Sequence, residues 1–147
     1  MALSANAALD MKNGPAKIQT VTLNTSVVCY KNALLAVAPG DSGAALIPAN
    51  STTQKFAGVA LRPVGQAAFP VTGDGTQQVD VGFDVTVKVT LKTGVTAGHV
   101  GSIMYCVDDA TVTHLATIGP QCGKLVEYVS ATSGWVHIGL PALAVAS

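Results

Sequence analysis

Gly40-Asp41-Ser42-Gly43 is the one string in this chain with a chemical reputation, since it matches the G-D-S-G around the nucleophile of a large class of serine proteases. That chemistry needs an imidazole to take the hydroxyl proton and a carboxylate to orient the imidazole, in the chain order His, Asp, Ser. Here His99, His114 and His137 all follow Ser42. A tight turn accounts for the same four residues, because Asp and Ser bond to nearby backbone amides and Gly tolerates positive φ. The turn is the better reading.

Other chemistry-bearing residues are equally scattered. The three histidines have no metal-ligand spacing, with no pair at i, i+2 or i, i+4. Asp108 and Asp109 are adjacent and would point opposite ways on a strand; between two apolar runs they read as a hairpin turn. Glu127 is the only glutamate and has no acid partner in the sequence. Gly94, Gly98 and Gly101 lack the Lys-Ser/Thr that phosphate cradles need. Cys29, Cys106 and Cys122 are odd in number and form no C-x-x-C, which predicts buried thiols in a reducing compartment. No catalytic residue, cofactor or metal ion is expected, and the chain is not expected to be an enzyme. Tyr105, Tyr128 and Trp135 are expected to pack in the core.

The elements around these residues are spelled by period two. In residues 81–91, V-G-F-D-V-T-V-K-V-T-L, every apolar side chain falls on one parity and every polar one on the other. Successive strand side chains point to opposite faces, so this predicts one long strand with a dry face and a wet face, in the middle of the sheet. Shorter strands are predicted at 18–23, 27–30, 34–37, 44–47, 56–61, 103–107, 111–115, 124–129 and 135–138. Gly73-Asp74-Gly75 and Asn24-Thr25-Ser26 are predicted turns. Short strands at this spacing predict an all-β fold: a single compact antiparallel β-barrel or sandwich, with extended N- and C-terminal arms. The expected divisions are an arm at 1–15, a β domain at 16–139 and a tail at 140–147.

Composition narrows the function class. Only 11% of the 147 residues are charged and the formal net charge is zero, so the surface must be poor in charge. Such a surface suits contacts with copies of itself and with partners. The lysines do not cluster and Arg62 is the only arginine, which leaves no footprint for nucleic acid. No basic amphipathic segment suggests a membrane surface, and no apolar run approaches the ~18 residues of a span. Residues 1–15 lack a basic start and a long apolar run, unlike a signal peptide. Leu3, Leu9 and Met11 in the arm and Leu140 and Leu143 in the tail are the candidate partner-interface residues.

The run at 97–112, A-G-H-V-G-S-I-M-Y-C-V-D-D-A-T-V, resembles a hairpin found in a family of tailed-phage capsid cement, or decoration, proteins. Residues 118–129, I-G-P-Q-C-G-K-L-V-E-Y-V, and the closing 134–138, G-W-V-H-I, follow in the family's order. Residues 56–60 and the 81–91 run are similar as well. The first 50 residues match poorly, and Ser102-Ile103-Met104 departs from the family's Lys-Pro-Val. The resemblance implies a protein made in the host cytoplasm that binds the outer surface of the expanded phage head. There it would stabilise contacts between major capsid protein subunits, as a homo-oligomer, most simply a trimer. It implies no nucleic acid, membrane or small-molecule substrate, and it carries over no catalytic residue. The alternative is a virion-surface β module that acts as a host-binding adhesin.

Overall fold

A computed structural model describes residue 11 and residues 17–38, 44–48, 54–65, 68–116 and 119–139. An open sheet runs in the order β1 (Lys17–Thr22), β7 (Gln78–Phe83), β5 (Lys55–Pro63), β3 (Leu34–Val37) and β4 (Ala45–Leu46). Beside it β2 (Val28–Cys29) pairs with β6 (Val71–Thr72). The rest of the described chain closes a five-stranded barrel, ordered β10 (Thr111–Thr113), β8 (Val85–Leu91), β12 (Ser133–Ile138), β11 (Gln121–Ser130) and β9 (Ile103–Cys106). A single 3-10 turn, Ala97–His99, lies between β8 and β9. The all-β expectation holds. Strand pairs are antiparallel apart from β8 with β10 and an isolated bridge between Leu23 and Ala45.

The long strand expected over 81–91 is two strands, and this is a correction. Asp84 has φ +57 and breaks the run. Its left-handed backbone, which Asp tolerates better than a β-branched residue, sends β7 into the open sheet and β8 into the barrel. The alternation survives the break. Val79, Val81 and Phe83 on one side of it and Val85, Val87, Val89 and Leu91 on the other are all buried in one continuous core cluster. Burial of each such side chain stabilises by roughly 1.5–3 kcal/mol, an upper bound set against an extended unfolded chain.

Turn chemistry closes the hairpins. The Asp108 carboxylate accepts the amides of Ala110 at 2.9 Å and Thr111 at 2.8 Å, which shapes the β9–β10 connection. Asp74 accepts the amides of Thr76 and Gln77 and the Thr76 hydroxyl, each at 2.8 Å. Those bonds, the Thr76 amide foremost, hold the Asp74 carboxyl below its ordinary value. The favourable contribution is therefore present at neutral pH and is lost as pH falls through the depressed value.

β1 is the edge of the open sheet. Its inward positions Lys17, Gln19 and Val21 stand opposite Phe83, Val81 and Val79, yet Lys17 and Gln19 remain exposed. On the outer face, the Thr20 hydroxyl donates to Asp80 at 2.7 Å and Arg62 pairs with the same carboxylate at 2.9 Å. This row joins β1, β7 and β5, but Arg62 is largely exposed, so the ion pair contributes no more than about 1 kcal/mol.

Gly58 on β5 has φ +118, and a Cβ there would lie 2.9 Å from both Phe83 Cζ and Val81 Cβ. Gly65 also has positive φ, +90, but faces open space. Gly58→Ala is expected to cost roughly 2–4 kcal/mol, from strain and overpacking together. Gly65→Ala should cost only about 1 kcal/mol. Urea denaturation of the two variants checks the difference.

Candidate interaction surface

Strand β11 carries two irregularities in its pairing with β12, one between Leu125 and Glu127 and one between Tyr128 and Ser130. Each leaves one extra residue, Val126 and Val129, without a partner across the ladder. A bulge of this kind re-aims side chains. Both valines are turned outward, 47% and 46% exposed. Leu125 and Val136, directly paired, stay fully buried.

The neighbouring loop adds to this flank. Gly101 donates its amide to the Leu125 carbonyl at 2.7 Å, and Leu125 donates to Ser102 at 3.1 Å. These bonds and the Ile103–Lys124 pairing hold Val100 and Ile103 beside β11, and both are exposed. Exposed Leu115 follows His114, whose ring stacks on His99, the residue before Val100. The flank of the barrel made by the 3-10 turn, β9 and β11 thus displays Val100, Ile103, Val126 and Val129, with Leu115 just past β10. Other exposed large apolar residues among the described ones, Ile18 on β1, Val28 on β2 and Val64 just after β5, sit apart in the other half.

The outer row of the barrel is different. Trp135 pairs with Lys88 on β8 and Glu127 on β11, and it alternates with buried Gly134 and Val136. It is half-buried on the outside, which corrects its expected place in the core; Tyr128 does pack against the core. His137, next on this row, has its Nε2 3.2 Å from Asp84 Oδ1 and its Nδ1 3.1 Å from the Thr86 hydroxyl. That bridge ties β12 to the bend between β7 and β8.

Of the residues expected at a partner interface, Leu3, Leu9, Leu140 and Leu143 lie outside the described residues, as does Gly40-Asp41-Ser42-Gly43. Met11 is described. It bridges to Val87 on β8 and is half-buried against the protein's own core. The exposed flank was not legible from the sequence. L-V-E-Y-V reads as apolar strand on both sides of one glutamate, and only the bulges reveal that both valines face outward beside Glu127.

The described residues hold no group of three or more His, Cys, Asp or Glu side chains placed to share a metal ion. No helix among them is long and apolar enough to cross a membrane. Cys29, Cys106 and Cys122 are free, buried thiols, as expected. Burial, helped by the charge of Asp109, pushes Cys29 up to about 12. Cys106 is also pushed up, by burial first and then by its hydrogen bond with Cys122. Cys122 in turn donates to the Met104 carbonyl at 3.6 Å.

Comparison of the chain with family models, with curated proteins and with solved structures finds no match.

A thiol buried in an apolar core is out of reach of reagents in solution and reacts poorly. In the native protein at about pH 8 an aromatic disulfide reagent should therefore leave all three cysteines unlabelled over the time in which the denatured chain reacts completely. Mass spectrometry of the labelled protein reads the result, and rapid native labelling of Cys106 would contradict it.

Proposed function

We propose that this chain is a capsid decoration, or cement, protein that binds the outer surface of the expanded phage head and stabilises contacts between major capsid protein subunits. In this reading it acts as a homotrimer, carries no cofactor and catalyses no reaction. The observation that carries the proposal is the exposed apolar flank made by Val100, Ile103, Val126 and Val129 on a chain with so little charge. Apolar side chains exposed together on one flank call for a covering surface. Three of the segments that resemble the decoration family support it too, since they are successive parts of one closed barrel, the β9–β10 hairpin, then β11, then β12, while the similar residues 56–60 lie on β5 of the open sheet.

The physics of cementing suits such a module. A ligand that binds the expanded shell and not its precursor stabilises the expanded state by mass action. Many copies on one lattice multiply modest contacts. Leu3 and Leu9 in the proposed arm, with Leu140 and Leu143 in the tail, extend the interface beyond the barrel flank. The virion surface is the proposed location, with no role for nucleic acid or membrane.

A second reading, a host-binding adhesin, rests on Trp135. An aromatic face flanked across the ladder by Lys88 and Glu127 is the kind of surface that recognises a sugar ring. It is a smaller feature than the flank on β9 and β11.

Binding of the purified chain to expanded and precursor shells separates the two readings. Cementing predicts binding to expanded shells alone, with a raised shell melting temperature; glycan binding without shell binding would replace it with the adhesin. Val126→Asp with Val129→Asp should weaken shell binding about tenfold or more. Because both valines are exposed, the same pair should shift the stability of the free protein by no more than about 1 kcal/mol.

A further inference from the structure

The connection from β8 to β9 is held by a histidine that can hold it in only one charge state. The His99 Nδ1 accepts the backbone amide of Thr96 at 2.9 Å and lies 3.3 Å from the Thr96 hydroxyl. A backbone N–H can only donate, so this nitrogen must be bare and the ring neutral. The His99 amide donates back to the Thr96 carbonyl at 2.9 Å, which closes the turn. His99 stacks on His114 across the barrel flank, with ring centroids 4.0 Å apart and planes 23° from parallel. The His114 Nδ1 is buried and has no hydrogen-bond partner.

We propose that the His99–His114 pair is an acid-sensitive latch, in which protonation releases the loop at 92–102 from the barrel flank while the barrel strands stay paired. Imidazole is the side chain whose charge changes in mildly acidic solution. A proton added to His99 must go on Nδ1, where it meets the Thr96 N–H and breaks that bond. A second proton on His114 sets two cationic rings face to face. The charged side chains carried by the elements that meet here are Lys88 and Lys92 from β8 and just beyond it, with Lys124 and Glu127 from β11; β9 and β10 carry none. The lysines add to the repulsion and favour release. Glu127 opposes it.

The sign follows from the bond itself: a proton and the Thr96 amide compete for one lone pair on His99 Nδ1, so closure weakens as pH falls. Release would free Val100 and loosen the Gly101–Leu125 bond beside the exposed valines, which couples acidity to the flank that the proposed function uses. The latch itself does not depend on that function.

The test uses the full chain labelled with 15N, followed from about pH 7.5 to about pH 5, a range that spans imidazole titration. Imidazole nitrogen shifts report the charge of each ring, and hydrogen exchange, corrected for its intrinsic pH dependence, reports the Thr96 and His99 amides. Protection of those amides should fall about tenfold or more as His99 gains its proton, while Val87 and Val136 stay protected. The double variant His99→Asn with His114→Phe keeps a side-chain acceptor for Thr96 and an uncharged ring at position 114, and its loop protection should not change with pH. His137, bonded to Asp84 and Thr86, is present in both proteins and cancels from the comparison. Equal loss of loop protection in both proteins would overturn the latch. So would a doubly protonated His99 with the Thr96 amide still protected, a result the parent protein gives without any variant.

Discussion

A backbone that leaves one sheet for another while keeping the same side chains dry has very little freedom at the crossing. In this protein the crossing is Asp84, with φ +57 between β7 and β8. The valines on either side must reach one core, so the bend has to turn the hydrogen-bonding direction without turning the apolar row. One left-handed residue does this. Its amide donates to the Gly139 carbonyl at 3.1 Å and its carboxylate meets His137, so the bend is fastened to the end of β12. The open sheet and the barrel share one core because of this arrangement.

The same constraint explains how a chain with 11% charged residues uses its few charges. Several are laid out in cross-strand rows on the outer faces: Thr20, Asp80 and Arg62 on the open sheet, then Lys88, Trp135 and Glu127 on the barrel. Cross-strand pairs contribute only tenths of a kcal/mol to about 1 kcal/mol each. Their stronger effect is on register, because a slip of one residue would carry each charge into the core. Where charge is sparse, as on the β9–β11 flank with only Lys124 and Glu127 on its strands, apolar side chains meet solvent.

Much of the fold was readable from period two and from turn chemistry. Strands β3, β5 and β9 to β12 lie within a few residues of the apolar runs that announced them, and the Asp108 and Asp74 turns form where those carboxylates stand. The division at Asp84 was not readable, because alternation reports which side is dry and says nothing about which sheet a strand joins. Trp135 was misjudged for a related reason: parity placed it opposite Val136, yet a large aromatic invites a core assignment. The two-residue strand β6 has too little pattern to show. The flank needed the bulges in β11, which a sequence hides, and four of the five residues expected at an interface fall outside the described chain.

The order of strands in the barrel also sets a timetable for its making. β8 lies between β10 and β12, and its six-residue ladder with β12 cannot form until Ile138 has been synthesised. On the ribosome the open sheet can be complete once Phe83 has emerged, whereas β8 must wait with its valines uncovered while roughly fifty further residues are added, a few seconds at ordinary translation rates. A nascent chain stalled in that interval would hold one finished sheet and a sticky, half-built barrel, the species that chaperones would meet first.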